Sequence, residues 1–551
     1  MTRKEYADFL VPNVEHDREY YESKYPERNL ESDAKVVRIG PSPTGFVHFG
    51  TLFQAMAGHN LAKNSSGIFY VRIEDTDQKR EVENGTKQII DALNDYGIEY
   101  NEGPISEEEE KGTYGPYIQS KRGDIYKAYV KDLIEKDLAY PSFATEKDLE
   151  ELRSQQEASK SRLGYYGRFA TDRNLSMETV IEKVKSGEKY VIRFRSPGNF
   201  ENKIIIEDLV KGRIEMPEND IDHVILKGDG LPTYHFAHVI DDHLMHTTHV
   251  VRGDEWLSSL PVHLQMFSSL GFTAPFYAHP SPIMKEENGK KRKLSKRKDT
   301  EANIAEFKKL GIPKEAVKEY LLTLINSNFE EWKDKNPEKD LDEFKVTFKK
   351  MNISGSLFDM EKLINISKNI LAHITAEEFY DQLLDWAENY DKEFTVLLKE
   401  HKKETIAILN IERGGEKPRK DYSAYSDVYK NIWYMYDEKF MVSKEEYEFD
   451  KITDPKEIKD ILITYITKYY DEKDGQDVWF SKIKVMAEEL GYASNMKEYK
   501  QNPDNFKGNV ADISTVIRVA VTSKKQTPNL YDILKILGTK KIEERFQKVI
   551  K

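Results

Sequence analysis

Along this chain the apolar positions change period, and each change marks an element. "AKVVRIG" sets the β-branched Val36, Val37 and Ile39 in a short run closed by Gly-Pro, which predicts a buried strand. The turn "PSPTG" follows. In "FVHFGTLFQAMAGHNLAKNSSG" Phe49, Leu52, Phe53 and Met56 recur at helical spacing, and residues 64–67 stop the helix. "IFYVRIEDTD" predicts a second strand over 68–73. Strand, loop, helix and strand in about 40 residues make a βαβ unit. Such a unit implies a parallel sheet with its ligand crevice at the carboxyl ends of the strands, where "PSPTG" and "EDTD" both fall.

Residues 124–139 predict an amphipathic helix through Ile125, Tyr129, Leu133 and Leu138, and 190–215 read as strands, so an α+β insertion is expected there. From Val224 the buried-strand pattern returns in "HVILKGDG" and "HVVRGDEW", which predicts that the parallel sheet resumes. "EAVKEYLLTLINS" at 315–327 opens a mainly helical half. Beyond about residue 355 the segments are amphipathic and rich in Lys, Asp and Glu, without a Gly-rich loop, which suits a binding domain better than a reaction centre. The expected organisation is an extension (1–33), an α/β domain in two halves (34–112 and 223–285), an insertion (113–222), a linking region (286–354) and a helical domain (355–551).

At 551 residues the chain is too long for one core, which agrees with that division. A hydrophobic share of 38%, with 32 Tyr and 25 Phe, describes a folded soluble protein. The absence of cysteine excludes disulfides, thiolate nucleophiles and Cys-based zinc sites. No apolar run reaches the roughly 20 residues a membrane span needs, so a cytoplasmic protein without membrane contact is expected. The net charge of −13 argues against indiscriminate nucleic-acid binding, although a local basic surface still attracts phosphate.

Four stretches carry candidate chemistry. In "RIGPSPTGFVHFGT" two prolines stiffen a loop, and His48 and Gly50 fall at the first helical turn, where a polyphosphate could meet free amides and an imidazole donor; a satisfied structural histidine is the alternative. "RIEDTD" offers carboxylates for Mg²⁺, an amino group or sugar hydroxyls, or merely caps the next helix. His235, His238, His243, His246 and His249 mix intervals of three and five across an expected strand and turn, which favours packed or exposed imidazoles over a metal site. "KKRKLSKRK" holds seven Lys/Arg in nine positions; as a charge count it reads as a localisation signal or polyanion patch, but its internal order is more specific.

Taken together, "HFGT" at 48–51 resembles the HIGH signature and "KLSKR" at 293–297 the KMSKS signature of class I aminoacyl-tRNA synthetases, in the right order around a split parallel sheet. "PSPTG", "RIEDTD", "GPYIQSKR", "DGLPTY", "VVRGDEWLSS" and "TPNLYDILKILG" are similar to blocks of the glutamyl-tRNA synthetase family, so the likeness spans nearly the whole chain.

The resemblance implies a Rossmann-like catalytic domain, an acceptor-stem-binding insertion, a KMSKS loop with a stem-contact region, and a helical anticodon-binding half. It implies ATP-dependent joining of L-glutamate to tRNA(Glu) through glutamyl-adenylate, with tRNA(Gln) as a further substrate left open. A non-catalytic tRNA-binding paralogue and a tRNA-modifying glutamate transferase are the competing readings; the latter lacks a C-terminal half like this one.

His48, Gly50, Lys293 and Lys296 are the implied catalytic group, and Ser42, Thr44, His48, Gly50, Thr51 and Lys296 the implied ATP contacts, with Mg²⁺ accompanying the nucleotide. Arg38 and Arg252 would receive the carboxylates of glutamate, Glu74 its ammonium, and Ser42 and Tyr234 would add hydrogen bonds. Asp77, Arg413 and Arg419 are the candidate tRNA contacts, the last two in "IERGGEKPRKDYSAY", for which a solvated loop is an equal reading. Where some family members carry a Cys-x-Cys zinc pair, this chain has Ser142 and Ala144, so no zinc is expected. His238 stands where some relatives have Asn, and a monomer is expected.

Overall fold

Two short helices, α1 (Arg3–Leu10) and α2 (Arg18–Lys24), precede the first strand of a computed structural model that describes residues 1–295 and 298–551. Thr2 and Asp17 cap them. They are an integral part of the core, because Tyr6, Leu10, Tyr21 and Tyr25 are buried among residues of the following domain. Polar staples fix them further. Arg18 donates to Asp132 Oδ2 and to the carbonyl of Leu270, each at 3.0 Å. Arg28, just beyond α2, clasps both oxygens of Glu102 and donates to the carbonyl of Met245.

The chain divides into two compact units, residues 1–306 with 318–359, and residues 307–317 with 360–551. The first is built on a six-stranded sheet. Its strands are β1 (Val36–Ile39) and β2 (Ile68–Val71), joined by the helix α3 (Phe49–Lys63). After the helix α4 (Gly123–Glu135) come β3 (Ala139–Ser142), β4 (Val191–Phe194), β5 (Lys203–Asp208), β6 (Gly212–Pro217) and β7 (Val224–Leu226). The helix α5 (Tyr234–Leu244) leads to β8 (His249–Val251) and β9 (Phe276–Ala278). The sheet order is β2-β1-β8-β9-β5-β6, with every pairing parallel except the β5–β6 hairpin.

Three expectations are corrected here. β5 and β6 lie within the stretch assigned to the insertion, yet β5 joins β9 in the main sheet. Conversely, β7 does not resume the parallel sheet; it pairs antiparallel with β4 in a separate sheet of order β3-β4-β7. A short apolar run reports burial, not which edge will accept it. Finally, residues 234–244 form a helix rather than a strand and turn, placing His235, His238, Asp241 and Asp242 on successive turns.

The second unit is predominantly helical and includes Met360–His373, Ala376–Tyr390, Gln476–Glu489 and Val510–Thr522 around a core containing Phe379, Tyr434, Ile483 and Ile517. Its last helix, Leu530–Ile550, bends at Gly538, whose φ of 72° only glycine adopts at little cost. Among the described residues, no helix is long and apolar enough to cross a membrane.

Candidate active site

Four chain segments leave the carboxyl edge of the sheet side by side: residues 40–47 after β1, 72–77 after β2, 252–259 after β8 and 279–282 after β9. Two cavities open there. One of about 410 Å³ is lined by Arg38, Ser42, Thr44, Glu74, Asp77, Arg80, Tyr234, Arg252 and Trp256. The other, of about 510 Å³, is lined by His48, Gly50, Thr51, Glu255, Lys293 and Ser295. Gln54 of α3 borders both.

Beneath the smaller cavity lies a buried ion network. Arg72 Nη1 donates to Asp242 Oδ1 at 2.5 Å, and its Nη2 donates to Glu74 Oε1 at 2.9 Å. Arg38 Nε donates to the other Asp242 oxygen at 3.3 Å. Arg122, Gln119 and Tyr126 all donate to Asp241. Three guanidiniums thus face three carboxylates, and the network is neutral as a whole. Burial opposes the charge of Asp242, but Arg38 and Arg72 overcome it and hold the carboxyl well below its ordinary range. Burial raises Glu74 instead, against the pull of Arg72 and Arg38. Gly40 has no side chain because a Cβ there would collide with the Glu74 carboxyl.

His238 lies in this floor, not in the cavity lining. Its Nδ1 is 2.9 Å from Asp242 Oδ2, and Tyr277 Oη is 2.9 Å from its Nε2. A carboxylate only accepts, so the imidazole donates from Nδ1 and accepts from the Tyr277 hydroxyl. It orients Asp242, which holds Arg38, and its Nδ1 also lies 3.4 Å from Arg38 Nη2.

Arg252 is different. It is 3% exposed, and its partners are neutral: His279 Nε2 at 3.1 Å from Nε, Tyr234 Oη at 3.0 Å from Nη1, and His263 Nδ1 at 3.3 Å and the Trp256 carbonyl at 3.5 Å from Nη2. Among the described residues no carboxylate lies within ion-pair distance of it. A buried guanidinium so placed is chemically suited to an anionic group.

At the larger cavity, His48 is the N-cap of α3, and its Nδ1 accepts the Gly50 N–H at 2.8 Å. That bond corrects the expectation of a bare helix start for phosphate, because the imidazole itself occupies the amide. Gly50 makes room for this ring, since a Cβ there would stand 2.9 Å from Nδ1. Accepting at Nδ1 leaves the proton of the neutral ring on Nε2.

Lys293 ends a hairpin of β10 (Met284–Glu287) and β11 (Lys290–Lys293), and its Nζ lies 3.1 Å from Glu255 Oε2. Asp299 closes the following loop. It takes both arms of the Arg292 fork at 2.6 and 2.7 Å and the Ser295 N–H at 2.8 Å. Hydrogen bonds from Arg292 foremost hold its carboxyl far below the ordinary range. Arg292 is therefore a clamp on this loop. Lys296 lies outside the described residues.

The remaining candidates disperse. His243 bonds Glu22, His246 the Tyr25 carbonyl and His249 the Thr248 hydroxyl, while His235 meets His263 at 2.9 Å. Ser142 bonds Asp172 at 2.9 Å. Ser42, expected at both glutamate and ATP, and Thr44, expected at ATP, line the cavity of Arg38 and Arg252. Asp77, in the same lining, accepts from Arg80 Nε at 2.6 Å. Arg413 donates to the carbonyls of Leu371, Ile374 and Leu409, which ties helix ends together rather than presenting the guanidinium to a base. Arg419 spends its fork on Asp421. Missed by the sequence reading were Asp241, Asp242, Asp208, His279, Trp256 and Gln54. The signal for Gln54 was present as a lone polar residue in the apolar run "LFQAM".

Residues 35–364 match the family described as tRNA synthetases class I (E and Q), catalytic domain, and residues 378–550 match the anticodon binding domain family. The chain is 47% identical over 551 residues, all of both chains, to the "Glutamate--tRNA ligase" of Clostridium perfringens (strain SM101 / Type A), and equally so to that of Acetivibrio thermocellus. Among solved structures, a glutamate tRNA ligase from Elizabethkingia meningosepticum in complex with its amino acid superposes with a TM-score of 0.76 at 25% identity, covering 94% of this chain and 99% of that one.

Proposed function

Because the chain belongs to the class I tRNA synthetases of the glutamate and glutamine group, we propose that it is a glutamate–tRNA ligase whose smaller cavity holds glutamate and whose larger cavity holds ATP. The observation that carries this reading is the pairing of Arg252, buried without an anionic partner, with Arg38 and Glu74 in one lining. A substrate with two carboxylates and an ammonium complements two guanidiniums and a carboxylate. A neutral amide in place of the side-chain carboxylate would leave a desolvated guanidinium underpaired, which is the physical basis for rejecting glutamine.

In the first step the α-carboxylate of glutamate attacks the α-phosphorus of ATP and pyrophosphate leaves. In the second, a hydroxyl of the terminal adenosine of tRNA attacks the activated carbonyl and AMP leaves. No covalent enzyme intermediate is needed; the work is positioning and charge stabilisation. The Nε2 proton of His48 suits a phosphate oxygen, and Lys293, half exposed beside the cavity, suits the pyrophosphate end, with Lys296 following in the same segment. Among the described residues Glu255 is the one carboxylate lining this cavity, and it is paired with Lys293; it would be the residue to hold an Mg²⁺ that accompanied ATP, and the ion would supply charge neutralisation at the phosphates. The chain's second unit, matching an anticodon binding family, supports a tRNA as acceptor, and the glutamate–tRNA ligase relatives favour tRNA(Glu).

Pyrophosphate exchange into ATP, with glutamate and with or without tRNA, tests the reading: exchange dependent on glutamate is expected, and none under either condition overturns it. Charging purified tRNA(Glu) and tRNA(Gln) separately measures the breadth of the second step.

A further inference from the structure

We propose that His279 and Asp208 are positioning residues for Arg252, forming a carboxylate–imidazole–guanidinium relay that aims its Nη1–Nη2 edge at a substrate carboxylate. The proposal rests on the reading of the smaller cavity as the glutamate pocket. Neither residue lines that cavity.

The geometry fixes every proton in the relay. His279 Nδ1 is 2.6 Å from Asp208 Oδ2, and Arg252 Nε is 3.1 Å from His279 Nε2. A carboxylate can only accept and a guanidinium can only donate, so the ring carries its proton on Nδ1 and offers its Nε2 lone pair to Arg252. The other Asp208 oxygen accepts the backbone N–H groups of Val210 at 2.9 Å, Lys211 at 2.8 Å and His279 at 3.3 Å. Burial disfavours this carboxylate, yet the His279 bond and the Lys211 and Val210 amides outweigh it and lower its titration.

Asp208 reaches this place because β5 joins the main sheet beside β9, with Asp208 opposite Tyr277. The ring of Tyr277 also underlies the Arg252 guanidinium at 5.0 Å. Holding Arg252 at Nε leaves the Nη1–Nη2 edge, which meets the neutral Tyr234, His263 and Trp256 carbonyl, beside the cavity, and such an edge can offer a carboxylate two parallel bonds. The imidazole spacer matters as much as the anchor. A carboxylate bound directly to Arg252 would satisfy its charge and compete with substrate, whereas Asp208, one ring away, anchors the guanidinium without neutralising the edge that binds.

The test is the split between KM values in pyrophosphate exchange. His279→Asn retains a donor toward Asp208 but cannot reach Arg252, and is expected to raise the KM for glutamate roughly tenfold, with the KM for ATP within about twofold. His279→Gln places an amide oxygen near the former Nε2 and is expected to restore the glutamate KM to within about threefold of the parent. Asp208→Asn, which keeps the side-chain size, removes the anchoring charge and is expected to raise the glutamate KM at least about threefold, again sparing ATP. A parent-like glutamate KM in both His279→Asn and Asp208→Asn overturns the proposal, as does an equal rise in both KM values, which marks general damage. Arg252→Ala separates the two levels: an unchanged glutamate KM there overturns the pocket assignment itself, whereas a large rise there with parent-like His279→Asn overturns the relay alone.

Discussion

Arg72 and Asp242 meet at 2.5 Å in the floor of the smaller cavity, both out of contact with solvent. Asp242 also accepts from Arg38. One carboxylate therefore sets the position of two cations, of which one lines the cavity and the other holds Glu74. Removing its charge leaves buried guanidiniums uncompensated. Asp242→Asn is expected to cost about 3–5 kcal/mol of stability, read by urea denaturation, and to raise the KM for glutamate in any folded fraction.

Arg38→Ala leaves Asp242 with Arg72 and His238, so the floor survives better than in the previous variant. Losing one charged hydrogen bond to substrate corresponds to roughly a tenfold to hundredfold rise in the KM for glutamate. The KM for ATP is expected to change by less than about threefold, and steady-state pyrophosphate exchange measures both.

Cap and catalyst can be separated at His48. Asn is among the best N-cap residues, so His48→Asn is expected to keep thermal stability within the equivalent of about 0.5 kcal/mol. It cannot reproduce a donor at the place of Nε2, and the single-turnover rate of adenylate formation is expected to fall by roughly a hundredfold. Gly50→Ala, which sets a methyl against the His48 ring, is expected to lower both.

Acid sensitivity follows from the buried imidazoles. Burial first, with neighbouring cations, lowers His223 and His235 to about 4; burial likewise lowers His238 to about 3, against the opposing pull of Asp242. Their ordinary value is 6.5, so the folded state binds fewer protons than the unfolded one in between. The stability they contribute is complete above 6.5 and is lost as pH falls toward 4 and then 3. A urea midpoint that declines steadily from neutral pH to about pH 4, with a shallower decline in His223→Gln/His235→Gln, is the expected result.

The hairpin clamp gives an unequal pair. Arg292→Ala releases Asp299, to which the Ser295 amide and Lys285 also bind, and is expected to slow pyrophosphate exchange about tenfold or more. Lys290→Ala, at an exposed strand position, is expected to leave the rate within about twofold. Equal losses would contradict the role of the clamp.

Local pattern carried much of this architecture. β1, α3 and β2 follow from β-branched runs, helical spacing and Gly-Pro punctuation, all readable within about 40 residues. β7 and β5 were misassigned for one reason: strand pairing is decided by distant partners, and β5 meets β9 some 70 residues later. At the site, the cations were legible through family motifs. Their supports were not, because Arg72 and Asp242 are separated by 170 residues, and Asp208 and His279 by 71. The short stretch "VIDDHL" reads as an ordinary acidic helix until three arginines from elsewhere are packed against it.

The staples of the N-terminal helices also bear on how the chain is made. Arg18 finds the Leu270 carbonyl 252 residues further on, Glu22 finds His243 after 221, and the Val36 N–H of β1 finds its acceptor, the Thr248 hydroxyl, after 212. At a synthesis rate of roughly 5–20 residues per second, the first helices and β1 wait on the order of ten seconds or longer for these partners to emerge. During that interval one edge of β1 and part of the Tyr21 face have no native cover, a hazard for association between nascent chains. The first unit cannot complete its sheet until translation has passed β9, just beyond the middle of the chain, which makes the order of synthesis, and not local propensity, the slowest part of its assembly.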